Sequence, residues 1–220
     1  GMYLMPMIKE FHERGEPIRM LEIGLGCWKN YDAVSDKTKK SVHIWDTLLG
    51  AQDTIYVAEF NAPCALNWQA RGIVPSRVNL LLGDQSNSTT VLEWAQVTGG
   101  ASSLDVIIDD GGHSNLQILT SFNNLWHAVA PGGYYFIEDL QVSRRSDKED
   151  TGGQYIMNDI LKDWIEQLLI PRRETGWTHK VEAIKSLAPL SNRYTLLLFF
   201  LTLFYTFFSP CMCRSLQASV

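Results

Sequence analysis

The chain has 220 residues, of which 45% are hydrophobic and 20% charged, and it carries a net charge of −5. That size and balance suit one globular domain with a sizeable core, and a mildly acidic surface without Lys/Arg clusters excludes a general nucleic-acid binder, whose affinity would rest on phosphate contacts. The four cysteines, Cys27, Cys64, Cys211 and Cys213, lack the spacing of a disulfide framework or a zinc site, which points to a reducing compartment.

The N-terminal Gly1-Met-Tyr-Leu-Met-Pro6 has no basic region ahead of an apolar run, so no secretory signal is expected and the setting reads as cytoplasmic. Met5 to Arg14 has the apolar spacing of a helix (Met7, Ile8, Phe11), ended by Gly15 and Pro17. Ile18 to Gly26 is a buried strand running into a glycine turn, where Gly24 and Gly26 let the backbone turn sharply and approach a ligand. The turn is not a full Gly-x-Gly-x-x-Gly, because Lys29 stands where the third glycine belongs. A helical or irregular segment from Val42 to Leu49 precedes a second strand, Asp53 to Glu59, whose final carboxylate is suited to two ribose hydroxyls. A helix over Trp68 to Ile73 broken by Pro75, a third strand over Arg77 to Gly83 and a helix over Val91 to Val97 follow.

The next stretch, Leu104-Asp-Val-Ile-Ile-Asp-Asp-Gly-Gly-His-Ser114, is a β-branched run that stops at carboxylates. A helix over Leu116 to Val129 leads through a Pro131-Gly-Gly133 turn into Tyr134-Tyr-Phe-Ile137, which also stops at acids, Glu138 and Asp139. Buried parallel strands look like this where their C-terminal ends open on a site. Asp110, Glu138 and Asp139 are thus expected to face one small volume with His113 beside them, a set of hard oxygen donors next to a potential base that suits Mg²⁺-type chemistry. Asp109 points to the opposite face from Asp110 and is expected to be structural or to line a cofactor. His12, His43, His127 and His179 have no such company and read as structural; Trp28 and Tyr31 read as packing beside the glycine turn. Ser143 to Gly153 is expected as a mobile loop at the site mouth, and Ile156 to Ile170 as an amphipathic helix.

Alternating strands and helices favour an α/β fold with a Rossmann-like, doubly wound, mostly parallel sheet. Together, Met20-Leu-Glu-Ile-Gly-Leu-Gly26, Gly83-Asp-Gln-Ser86, Ile107-Ile-Asp-Asp-Gly-Gly-His113 and Pro131-Gly-Gly-Tyr-Tyr-Phe-Ile-Glu-Asp139 resemble the class I S-adenosylmethionine-dependent methyltransferases, and within them the metal-dependent O-methyltransferases of macrolide sugars. The resemblance covers roughly residues 1 to 145. It implies S-adenosylmethionine and Mg²⁺ or Mn²⁺ as cofactors and a sugar or small-metabolite hydroxyl as acceptor. It places Glu22, Gly24 and Gly26 against the methionine part of the cofactor, Glu59 at the ribose, and Asp84 with Gln85 beside the adenine. Asp110, Glu138 and Asp139 fall on its metal-ligand positions and His113 on its general base.

Residues 1–190 are expected to form the methyltransferase domain, with His179 to Ser186 as a further strand. Residues 191–220 form an atypical segment, in which the uncharged run Tyr194 to Phe208 either completes the sheet with its first part, leaving an altered last strand, or associates with a membrane. At about fifteen residues the run is short of the roughly twenty that span a bilayer as a helix. Two other functions compete. A short-chain reductase needs a Tyr-x-x-x-Lys pair, and no tyrosine here has lysine four residues later. A catalytically impaired, cofactor-binding relative is the other, motivated by the irregular C-terminus and the short stretch before the first strand.

Overall fold

The structure is a computed structural model that describes residues 4–27 and 41–169. Its elements run α1 (Leu4–Arg14), β1 (Arg19–Ile23), α2 (Ser41–Leu48), β2 (Thr54–Glu59), α3 (Ala62–Ala70), β3 (Asn79–Leu82), α4 (Ser88–Val97), β4 (Leu104–Asp109), α5 (Asn115–Leu125), β5 (Val129–Ile137) and α6 (Met157–Leu169). The five strands form one sheet in the order β3-β2-β1-β4-β5, every pair parallel. The chain order therefore reverses at β1, and its neighbours β2 and β4 flank the crevice where ligands of such sheets bind.

Strand alternation splits the core into two layers. Leu21 and Ile23 of β1 and Ile107 of β4 face α4, α5 and α6, where Phe122, Leu125 and Trp164 pack on them. Met20, Val106 and Ile108 face the other way, toward α1, α2 and α3, with Phe11, Trp45 and Trp68. A sheet covered on both faces needs apolar residues at successive positions, which is why these strands read as continuous hydrophobic runs.

Several boundaries differ from the sequence reading. Helix α3 starts at Ala62 rather than Trp68, because the Asn61 side chain accepts from Cys64 N–H and a proline occupies the first turn, leaving Ile73 beyond the helix. Helix α4 starts at Ser88 because Asn87 caps the N–H groups of Thr89 and Thr90. The Pro131-Gly-Gly133 stretch is part of β5, not a turn before it: the strand begins at Val129 and accommodates the proline through a register shift opposite Leu104 and Val106. Helix α5 accordingly stops at Leu125, followed by a short 3₁₀ turn over Trp126–Ala128. The segment from Ser143 to Gly153, expected to be a mobile loop, is pinned to the start of α5: Asn115 Nδ2 donates to Ser143 O at 2.8 Å, and Leu116 N–H donates to Asp150 Oδ1 at 3.0 Å.

The cysteine reading also needs correction, since Cys27 and Cys64 form a disulfide with their Cα atoms 6.0 Å apart. The spacing of 37 residues hides the pairing. Parallel β1 and β2 end at the same height, so the turn after one and the helix after the other meet. Among the described residues no helix is long and apolar enough to cross a membrane. The readings for Trp28, Tyr31, His179 to Ser186 and the segment 191–220 lie outside the described residues.

Candidate active site

At the carboxyl edge of the sheet the hydrogen-bond ladder continues one residue past each strand. Gly24 N–H donates to Ala58 O, Asp110 N–H to Ile23 O, Glu138 N–H to Asp109 O, and Gly83 N–H to Glu59 O. This row of bonds sets the first residues after β1, β3, β4 and β5 at one level. Residues as far apart in the chain as Ile23 and Asp110 are thereby neighbours.

On the β1–β2 side the Glu59 carboxylate is engaged by the protein itself. Glu59 is buried at the end of β2, and its carboxylate gathers three backbone donors: Leu25 N–H at 3.1 Å, Cys27 N–H at 3.3 Å and Asn61 N–H at 2.8 Å. It thus shapes the glycine turn, a task its sequence position did not reveal. Gly24 and Gly26 adopt φ of +105° and +79°. A Cβ at Gly24 would lie 2.2 Å from the Asp110 carbonyl oxygen, so at this position the neighbouring strand demands glycine as well as the backbone conformation. Glu22 is buried in β1, and its Oε2 has no hydrogen-bond partner among the described residues. Burial pushes its carboxyl up to about 7, against the lowering pull of Ser41 and Trp45 beside it.

On the β4–β5 side the acids face one another. Asp110, His113 and Asp139 each offer a ligand atom, all within 4.8 Å of one another. His113 Nε2 lies 3.6 Å from Asp139 Oδ2 and 3.9 Å from Asp110 Oδ1. Burial, then repulsion from Glu138 and Asp139, pushes Asp110 up to about 7. Burial and Asp139 raise Glu138 in the same way. Burial lowers the His113 pKa, opposed by Asp139 and reinforced by Lys148, so the imidazole is neutral at pH 7. His113 and Asp139 hold left-handed backbone at φ of +61° and +53°, a conformation that costs non-glycine residues of order 1 kcal/mol and collects at functional sites.

The structure places Asp84 beside Gln85 at the end of β3, where the Asp84 carboxylate accepts from Ser86 N–H and Oγ–H. Gln85 itself is buried, donating to Asp109 Oδ1 at 2.7 Å and accepting from Gly112 N–H at 3.1 Å. Asp109 is buried beneath the site, and burial pushes its carboxyl up to about 7 despite the Gln85 bond. Two further residues that sequence reasoning missed support the His113 turn. Lys148 Nζ donates to Gly112 O at 2.7 Å, and Gln117 closes a capping box with Ser114 at the start of α5. The Ser-x-x-Gln spacing could have exposed the second; nothing local exposes Lys148, which reaches back 36 residues. His12 instead lies against buried Asp53 at 3.3 Å, a structural pairing at the far end of the sheet.

A central strand ending in a glycine turn, an acid closing the next strand and carboxylates on the other side make up the arrangement, and the chain is similar in sequence to macrolide-sugar and related O-methyltransferases and in fold to one of them. It is 32% identical over 133 residues to the demethylmacrocin O-methyltransferase of Streptomyces fradiae, a match over 60% of this chain and 30% of that one. It is 30% identical over 127 residues to a rhamnosyl-tetracenomycin C 3'-O-methyltransferase of Streptomyces olivaceus, over 58% of this chain and 29% of the other. Among solved structures, the MycE methyltransferase of mycinamycin biosynthesis, in complex with Mg and SAH, shares the fold at a TM-score of 0.58 and 24% identity, over 77% of this chain and 42% of that one. The chain thus matches less than a third of the length of these curated relatives. No protein-family model matches it.

Proposed function

We propose that this chain carries out divalent-metal-assisted methyl transfer from S-adenosylmethionine to a hydroxyl of a sugar or small metabolite. The observation that carries the reading is the convergence of Asp110, His113 and Asp139 beside the glycine turn of β1, in a chain whose relatives are sugar O-methyltransferases. The donor chemistry fits: carboxylate oxygens with raised affinity for positive charge suit Mg²⁺ or Mn²⁺. The buried, unpartnered Glu22 Oε2 fits a cationic or N–H-bearing ligand at the mouth of β1.

In this reading Asp110, Glu138 and Asp139 hold the metal. Glu22, Gly24 and Gly26 line the methionine part of the cofactor, Glu59 takes the ribose, and Asp84 borders the rest of its pocket, with buried Gln85 and Asp109 beneath it rather than on the ligand. A bound divalent cation supplies charge that stabilises a developing alkoxide. His113, neutral and facing the same volume, accepts the hydroxyl proton at a ring nitrogen. The freed oxygen attacks the sulfonium methyl as its bond to sulfur breaks and S-adenosylhomocysteine leaves as the neutral thioether, and the sheet edge's task is to hold the two reactants in line.

The test is calorimetric titration with S-adenosylmethionine, with and without Mg²⁺, for the wild type and an Asp110→Ala/Glu138→Ala variant, followed by labelled methyl transfer to deoxysugar acceptors. The reading expects cofactor binding in both proteins, a Mg²⁺ heat in the wild type alone, and a His113→Ala chain slowed by roughly 10²–10⁴-fold. A wild type that binds neither ligand overturns it.

A further inference from the structure

We propose that Gln85 is a positioning residue for the turn that presents Asp110 and His113, acting from beneath it rather than on a ligand. The inference rests on the metal-site reading above and goes beyond it. The side-chain amide of Gln85 is buried at the end of β3 and makes two bonds to the neighbouring segment, Nε2–H to Asp109 Oδ1 at 2.7 Å and Oε1 from Gly112 N–H at 3.1 Å. These span the two residues in question: one partner immediately precedes Asp110, and the other immediately precedes His113.

Contact geometry supports the same role. A Cβ at Gly111 would lie 2.3 Å from Gln85 Oε1, so the turn rests directly on the amide. On its other side the turn is fixed by Gly24 against the Asp110 carbonyl and by Lys148, which donates to Gly112 O. The Gly112 residue is therefore held at both of its backbone polar groups, its N–H by Gln85 and its C=O by Lys148. With Gln85 replaced by an apolar residue, the buried Asp109 carboxylate oxygen and the half-buried Gly112 N–H each lose a partner, and a turn of two glycines has little stiffness of its own. Residues that hold metal ligands from behind typically carry 10–100-fold of the metal affinity.

The experiment measures Mn²⁺ affinity by electron paramagnetic resonance and S-adenosylhomocysteine affinity by calorimetry for the full chain, for Gln85→Met and for Val57→Ala. Val57 lies in the opposite core layer, and its truncation controls for lost stability alone. The proposal expects Gln85→Met to weaken Mn²⁺ by about 10–100-fold, with S-adenosylhomocysteine and the Val57→Ala chain both within about threefold of wild type, taking threefold as the smallest change worth reading. Loss of S-adenosylhomocysteine with Mn²⁺ unchanged overturns it in favour of a direct adenine contact. Unchanged Mn²⁺ affinity, or an equal loss in Val57→Ala, overturns it as well. A wild type that binds no Mn²⁺ fells the metal-site reading and this inference with it, whereas wild-type binding with an indifferent Gln85→Met fells this inference alone.

Discussion

The two sides of the carboxyl edge are built on opposite electrostatic plans. At the end of β2 the acid Glu59 is ringed by three backbone N–H donors and tied down further by the Cys27–Cys64 disulfide. Between β4 and β5 Glu138 and Asp139 raise the proton affinity of Asp110, Asp139 raises that of Glu138, and His113 and Asp139 sit in left-handed backbone. The difference separates structural from reactive use of one residue type. A carboxylate matched to backbone donors fixes a turn; carboxylates matched to one another store an attraction for cations.

Independence of the two sides is open to direct attack, most severely at the disulfide. Its 37-residue separation gives a loop-closure contribution of about 3–4 kcal/mol, so a Cys27→Ser/Cys64→Ser chain is expected to lose roughly that much in denaturant unfolding while binding Mn²⁺ as before. A parallel loss of Mn²⁺ affinity would mean that the sides are coupled. On the other side, Asp110→Ala is expected to weaken Mn²⁺ on the order of 100-fold, about 2.7 kcal/mol, and to leave S-adenosylhomocysteine affinity within about threefold, as calorimetry would read.

A gentler probe is pH. Glu22, Asp109 and Asp110 have folded-state pKa values raised to about 7. Raised values mean that the folded chain holds protons the unfolded chain has released, so this contribution to stability is full below the ordinary carboxylate range and is lost as pH rises through about 7. The melting temperature in chelator is expected to fall between pH 5 and pH 8. Mg²⁺ at ten times its Kd should return about 1.4 kcal/mol at pH 8 and much less at pH 5, because the cation binds the deprotonated acids. The smallest effect marks the background: Asn87→Ala removes the α4 cap, costs about 1 kcal/mol, and should change neither ligand's affinity.

The strands were legible because both sheet faces are covered, which writes runs such as Val106-Ile-Ile108 into the sequence without regard to their partners. Acids that end those runs exposed the site, since a carboxylate closing a β-branched run marks the point where a buried strand reaches the open edge of its sheet. Helix starts were less visible, because Asn61 and Asn87 announce α3 and α4 through side-chain bonds to backbone that composition does not reveal. Least visible were bonds between segments far apart in the chain: Cys27 to Cys64, Lys148 to Gly112, and Gln85 across to Asp109 and Gly112. Only the sheet order makes those residues neighbours.

Gly24 has a consequence for anyone who reads this molecule through genetics. It stands in the glycine turn, and a screen that recovered Gly24→Ala would file it with cofactor-binding alleles. The added methyl would nevertheless meet the Asp110 carbonyl first, so the primary injury falls on the opposite side of the crevice. Such an allele should be relieved in part by changes near Gly111 that let the β4 turn retreat, with the strain of a φ of +105° at residue 24 left over, and not by extra cofactor.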